Sequence, residues 1–299
     1  MEDPVVALKI DVDTHQGMKA GVPSLLKTLR DAGVKATFFL SFGPDNSGKA
    51  IWNILRKRGF FSKMIRTGAP HLYGFKTLLY GTLLPAPLIA SAYPEIVRQI
   101  DQETHEIGVH AWNHRLWQDN LDRLSAEKIR QEFERSFAAY RVILGREPRA
   151  VAAPAWYCNQ TSLEVQDGLS LDYSSDTRGR KPFFPRMGGR VYRTLQIPTS
   201  QLGIEEMIGR GGVTRGNLVD HQIAQLKRKR FNTVPVHAEI EGGSYHGHFR
   251  GFLKGAMKSG FRFRPLQHLC GVAKEEGAPV RDVVLEEFPG RSGLVAVSL

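Results

Sequence analysis

Few positions in this chain combine residue type and spacing in a way that could do chemistry. Asp11 and Asp13 follow the apolar run Val5–Ile10 as I-D-V-D-T. At the two-residue period of a strand they point to one side, near its carboxyl end. His110 and His114 occur as H-A-W-N-H, just after a second short apolar stretch. Spacing of i,i+4 puts both imidazoles on one face of a helical turn, and a loop could converge them equally well. Two imidazoles and one carboxylate are a common catalytic ligand set for a first-row divalent metal, with positions left for water and substrate. His237 ends the run N-T-V-P-V-H, and Glu239 and Glu241 alternate after it.

Each of these signals has a plainer reading. A D-x-D at a strand end is more often a turn or helix-capping pair, and an isolated H-x-x-x-H is more often structural. His246 and His248 read as solvated residues of a Gly-rich loop. Cys158 and Cys270 lack CxxC partners and read as core residues. Joint occurrence shifts the weight, because D-x-D, H-A-W-N-H and His237 all fall where an α/β sheet presents its active site.

The elements that must position these groups alternate along the chain. Val5–Ile10, Thr37–Phe42, Glu106–His110, Val151–Ala153, Leu171–Tyr173 and Asn232–His237 read as strands. Gly21–Ala32, Glu95–Thr104, Ser125–Leu144, Val219–Lys229 and Phe249–Ser259 read as helices. Repeated strand–helix units predict an α/β fold with a mostly parallel sheet. One stretch breaks the rhythm. From Gly48 to Pro94 there are seven Lys/Arg and no acid, interleaved with Trp52, Phe60, Phe61, Tyr73, Phe75 and Tyr80. It reads as an insertion.

A length of 299 residues allows one large domain or two ordinary ones. Lys and Arg outnumber Asp and Glu by 41 to 30, a formal charge of +11, which points to an anionic partner without choosing between nucleic acid, lipid and small substrate. Two cysteines make no disulfide framework and fit a reducing compartment. No secretory signal and no apolar run of spanning length is present.

In order, D-x-D, H-x-x-x-H, A-P-A-W, S-S-D-T-R-G and V-H-A-E resemble the motifs of the polysaccharide deacetylase (NodB homology) family. KIDVDT, FGPDN, HEIGVHAW, SSDTRG and HAEIEG are similar to its deformylase branch, over roughly Val5 to Leu269. The resemblance implies a distorted (β/α) barrel spanning 1–277, with 48–94 as an inserted basic-aromatic cap and 278–299 as a C-terminal tail. It implies Asp11 as general base, Asp13, His110 and His114 as ligands of one divalent ion (zinc, manganese, cobalt or nickel), and His237 as general acid. Asp176 corresponds to the carboxylate that orients the catalytic groups. Trp156 and Tyr157 become substrate or oxyanion candidates. The family normally places an arginine two before the proline of its third motif, where this chain has Ala152. Arg178, beside Asp176, is the candidate substitute.

The implied reaction is removal of formyl from undecaprenyl-phosphate-linked 4-deoxy-4-formamido-L-arabinose, a step of lipid A modification and cationic-peptide resistance. The implied location is peripheral, on the cytoplasmic face of the bacterial inner membrane. Arg56, Lys57, Arg58, Phe60, Phe61 and Lys63 are then expected to meet the anionic membrane surface, and nucleic acid is not expected as a partner. Two other readings stand beside this one: a deacetylase of another N-acylated sugar, and a non-catalytic binder of polyprenyl-phosphate sugars.

Overall fold

The structure is a computed structural model, and it describes residues 4–51, 77–228, 231–291 and 293–299. Its strands, in chain order, are β1 (Val5–Val12), β2 (Thr37–Ser41), β3 (Glu106–Ala111), β4 (Ala150–Val151), β5 (Tyr173–Ser174), β6 (Phe184–Met187), β7 (Arg190–Val191), β8 (Asn232–His237), β9 (Arg262–Phe263), β10 (Val280–Glu287) and β11 (Leu294–Ser298). A parallel sheet in the order β5-β4-β3-β2-β1-β8, with β9 also on β1, curls into a half-barrel with helices outside it. The predicted α/β barrel is therefore what the chain forms.

The pleat of β1 divides the core. Val6, Leu8, Ile10 and Val12 face outward, onto Leu25, Leu26 and Leu29 of the helix Val22–Asp31 and onto Phe249, Phe252 and Leu253 of the helix His246–Lys258. Those leucines recur at three and four residues, the stripe a helix needs to cover a sheet. Each fully buried aliphatic side chain contributes roughly 1.5–3 kcal/mol. Ala7, Lys9 and Asp11 take the other face, toward the barrel interior, where Ala7 meets Phe39, Ala150, Tyr173 and Leu266. The helix Leu266–Glu276 plugs that end of the barrel with Leu266, Leu269 and Cys270. Polar residues are thus displaced toward the carboxyl end.

The gap between β5 and β8 is bridged without a regular strand. Ile197 N–H donates to the Ser174 carbonyl (2.8 Å) and Thr199 N–H to Thr177 (2.9 Å), while Ser200 and Gln201 N–H both reach the Thr233 carbonyl. The barrel is distorted because this one connection replaces a strand.

Two expectations change here. The segment 278–299 is no tail: β10 and β11 pair antiparallel and continue through β6 to β7 as a second sheet. Arg178 N–H donates to the Ala296 carbonyl and Ser298 N–H to that of Arg178, so β11 is fastened to the barrel edge. His246 and His248 lie in the first turn of a helix rather than in a solvated loop. His246 Nε2 is hydrogen-bonded to Thr28 Oγ1 (2.7 Å), and His248 Nε2 lies 3.0 Å from the Arg215 carbonyl. The helices Gln160–Asp167 and Leu266–Glu276 go unmarked in the sequence reading, although the second carries a full helical stripe at Leu266, Leu269, Cys270 and Ala273. Of the insertion, only residues 48–51 and 77–94 are described. Arg56, Lys57, Arg58, Phe60, Phe61 and Lys63 lie outside the described residues.

Candidate active site

Register brings the first carboxylate and the last histidine together. Asp11 on β1 is paired with His237 on β8, both at the carboxyl end of the sheet. Asp11 is almost wholly buried, and the Lys9 ammonium, buried two residues earlier on the same face, is bonded to its Oδ2. Asp11 Oδ1 has no hydrogen-bond partner. One oxygen is thus held by a cation while the other is left for a proton. Lys9 is itself cradled by the rings of Phe39 and Trp156, each centroid 5.3 Å from Nζ. The cation beside Asp11 is Lys9, not Arg178. The guanidinium of Arg178 is committed to Glu206 and to the Gln201 carbonyl (2.6 Å), and stacks 3.9 Å from the Trp156 ring. Lys9 was overlooked although K-x-D-x-D carries it on the face of Asp11 and Asp13.

Asp13 leaves β1 just beyond. His110 Nε2 lies 3.2 Å from its Oδ1 and His114 Nε2 3.4 Å from its Oδ2, and one donor atom from each residue falls within 4.8 Å of the others. His110 is the fifth residue of β3, whereas His114 opens the helix His114–Asn120. The convergence is therefore made across a strand–helix turn and not along one helical face. Asn113 caps that helix, its side chain accepting from Leu116 N–H (3.1 Å), and its own N–H donates to Glu132 (3.1 Å). Gly43, after β2, donates its N–H to the Trp112 carbonyl in the middle of this turn, and any Cβ there would collide with that carbonyl. FGPDN thus supplies a glycine because two backbones touch.

The electrostatics suit a cation. Burial alone would raise the Asp13 carboxyl, but the adjacent imidazoles of His114 and His110 hold it well below its ordinary range. Asp13 Oδ1 and His110 Nδ1 are buried without a hydrogen-bond partner. A carboxylate and two imidazoles with unsatisfied atoms converging on one point fit a divalent metal. Glu239 and Glu241 are buried behind this centre. Burial, then the charge of Asp13, push Glu239 well up; burial, then the charge of Glu205, do the same for Glu241. Glu241 accepts the His237 backbone N–H (2.8 Å), fixing the strand end.

His237 faces a carboxylate that the spacing did not reveal. Glu205, in the short helix Ile204–Met207, places Oε1 3.6 Å from His237 Nδ1. Asp176, expected to orient the catalytic groups, is taken up elsewhere: it accepts from Ala153 N–H (2.7 Å), Gln166 Nε2 (2.9 Å) and Gln196 Nε2 (3.1 Å). Those bonds hold the Ala153–Tyr157 turn in place, so Asp176 acts on that turn. Trp156 in the turn meets the His237 ring edge-on at 6.2 Å and donates Nε1–H to Thr199 (2.7 Å). Ala155 and Trp156 both hold positive φ, 57° and 52°. Such strain persists only where surrounding structure enforces it. The Tyr157 N–H is not open for an oxyanion, since it donates to the Pro154 carbonyl (3.1 Å), and the Trp156 N–H donates to Ala153. Glu205 was missed because G-I-E-E-M has no periodicity linking it to a distant strand end.

The polysaccharide deacetylase profile matches residues 1–174. A Shewanella sediminis (strain HAW-EB3) protein named "Probable 4-deoxy-4-formamido-L-arabinose-phosphoundecaprenol deformylase ArnD" is 32% identical over 288 residues, covering 96% of this chain and 92% of that one. A Wigglesworthia glossinidia brevipalpis protein of the same name is 31% identical over 283 residues, covering 94% and 97%. Among solved structures, a Mycobacterium smegmatis protein described as a polysaccharide deacetylase superposes with a TM-score of 0.65 at 16% identity, over 96% of each chain. The peptidoglycan deacetylase PdaC of Bacillus subtilis gives 0.53 at 16% identity, over 92% and 94%. The last two share the fold.

Proposed function

The chain belongs to the polysaccharide deacetylase family, and from that premise we propose that its site removes the N-formyl group from undecaprenyl-phosphate-linked 4-deoxy-4-formamido-L-arabinose. It is an amide hydrolase. What supports the substrate is the name carried by both curated relatives across nearly their whole length. The observation that carries the chemistry is the pairing of Asp11 with His237 beside the Asp13–His110–His114 cluster.

A divalent ion held by Asp13, His110 and His114 would supply Lewis-acid activation of a water and of the formyl carbonyl. Asp11 accepts the proton of the attacking water at Oδ1, and Lys9 keeps Oδ2 fixed so that the free oxygen does not turn away. Trp156 walls the site against His237. In the Ala153–Tyr157 turn the N–H groups of Trp156 and Tyr157 are spent on carbonyls and that of Ala153 on Asp176, which leaves the Ala155 N–H as the proposed oxyanion donor. As the C–N bond breaks, His237 gives the proton of Nε2 to the departing nitrogen while Nδ1 stays toward Glu205. Formate and the free amine leave, the amine still on its lipid carrier.

The same reading makes the surface around 48–94 a dock for anionic lipid on the cytoplasmic face of the inner membrane. No helix among the described residues is long and apolar enough to cross a bilayer. Leu83 is 81% exposed, and Leu84 and Leu88 are exposed beside it. Ile89 N–H donates to the Gly43 carbonyl and the Leu88 carbonyl meets His15 Nδ1 (2.9 Å), which ties these leucines to the loop touching the His110–His114 turn. The deciding experiment incubates the protein with the formylated lipid-linked sugar, with and without chelator. We expect formate release that the chelator stops. Release from N-acetyl sugars alone, or none from any N-acyl sugar, overturns the reading.

A further inference from the structure

The loop between β10 and β11 reaches the catalytic histidine. Arg291 in that loop places Nη1 2.9 Å from Glu205 Oε1, the same oxygen that stands 3.6 Å from His237 Nδ1. Its guanidinium also lies 4.4 Å from the Trp156 ring, and Trp156 meets His237 edge-on. Arg291 therefore touches both groups that bound the imidazole, the carboxylate on one atom and the indole on its ring.

The loop is seated, not merely near. Gly290 has φ of +90°, and a Cβ there would lie 2.8 Å from Glu206 Cα, so only glycine lets the chain approach the helix Ile204–Met207 this closely. Arg291 N–H donates to the Phe288 carbonyl, and the Phe288 ring covers Arg178, with Arg178 Cζ 4.8 Å from its centroid. Arg291 Nε is 3.7 Å from Glu206, which is bonded to Arg178. Two carboxylates, Glu205 and Glu206, thus face two guanidiniums, Arg178 and Arg291, in a buried square whose charges cancel. His237 abuts this square at Glu205. A carboxylate held on one side by a guanidinium cannot swing, and its remaining attraction for an imidazole is set by that partner.

We infer that Arg291 is a positioning residue for the reaction: it holds Glu205 so that the carboxylate charge, 3.6 Å from Nδ1, orients His237, which makes the C-terminal hairpin part of the catalytic unit. This rests on the assignment of His237 as the proton donor to the leaving nitrogen. It adds a residue 54 positions downstream of that histidine, from a segment outside the barrel.

The test pairs kinetics with spectroscopy. Arg291→Gln should lower kcat by about 10–100-fold, the usual effect of removing a group that orients a catalytic one, with KM little changed; the thermal midpoint falls because Glu205 and Glu206 lose a counter-charge, so kinetics are read at a temperature where both proteins are folded. Arg291→Lys, which keeps the charge, should recover most of the loss. In a double-mutant cycle, Arg291→Gln should add little to Glu205→Gln, because its path to His237 is already cut. Long-range proton–nitrogen spectra of the histidine rings, assigned with His237→Gln, should show the His237 resonances moved by Arg291→Gln and those of His246 and His248 in place. Additive losses in the cycle, or unmoved His237 resonances, overturn the inference. If wild-type protein releases nothing from any N-acyl sugar, the reaction assignment fails, whereas the spectra still report whether Arg291 controls His237.

Discussion

At Asp11 a buried carboxylate keeps one oxygen on Lys9 and leaves the other unpartnered, an arrangement that folding alone does not favour. Removing one member of a buried ion pair strands the other. Lys9→Met should therefore destabilise the protein by about 3–5 kcal/mol, measured as the shift in urea unfolding, as well as disabling the base. Asp11→Asn keeps an acceptor for Lys9 and the same shape. It should unfold at a lower denaturant concentration, because Lys9 loses its counter-charge, while turnover measured on the folded protein falls by about 10²–10⁴-fold. A variant with full activity would remove Asp11 from its role. His114→Ala should abolish stoichiometric divalent metal, read by elemental analysis of the purified protein, because two donors do not make the site.

Elements hold these groups by close backbone contact. Gly43 lies against the carbonyl of Trp112 between the two histidines, so Gly43→Ala must push the turn away. The expected result is weakened metal binding together with a loss of about 1–3 kcal/mol in stability. A second element-level effect sits at the start of β3. His105 Nδ1 accepts from the Ala36 N–H, and burial, reinforced by the charge of Lys35, pushes its pKa down to about 4. The unfolded chain takes up this proton more readily, since its histidine titrates near the usual 6.5. Stability from this group is complete above pH 6.5 and is lost as the pH falls from 6.5 to 4. With partial solvent screening the loss is no more than about 2 kcal/mol. Denaturation midpoints of wild type and His105→Gln across that range should converge toward acid. Parallel curves would remove the effect.

For the whole molecule, the formal +11 and the exposed leucines beside the site lead to a prediction about surfaces. Basic residues near an anionic bilayer contribute about 1 kcal/mol each. Neutralising Arg56, Lys57, Arg58 and Lys63 together should lower flotation with anionic vesicles at least about tenfold, and raised salt should mimic the change. Equal flotation would confine these charges to solvation.

Six of the barrel strands, most of the helices that cover them and the set Asp11, Asp13, His110, His114 and His237 are read from the chain alone, whereas β9, Gln160–Asp167 and Leu266–Glu276 are not. Local patterns carry those features: alternation writes a strand, a three-and-four repeat writes a helix, and Asp11, Asp13, His110 and His237 sit at or just past strand ends that their own segments mark, with His114 across the next turn. Only tertiary structure decided which partners act on them. Lys9 replaced the expected arginine because the pleat of β1 aims it at Asp11. Glu205 rather than Asp176 faced His237, Arg178 went to Glu206, and 278–299 became a hairpin pressed on the site. These pairings join residues that are distant in the chain and lie on short or irregular elements. No periodicity encodes such contacts; the closure of the barrel creates them.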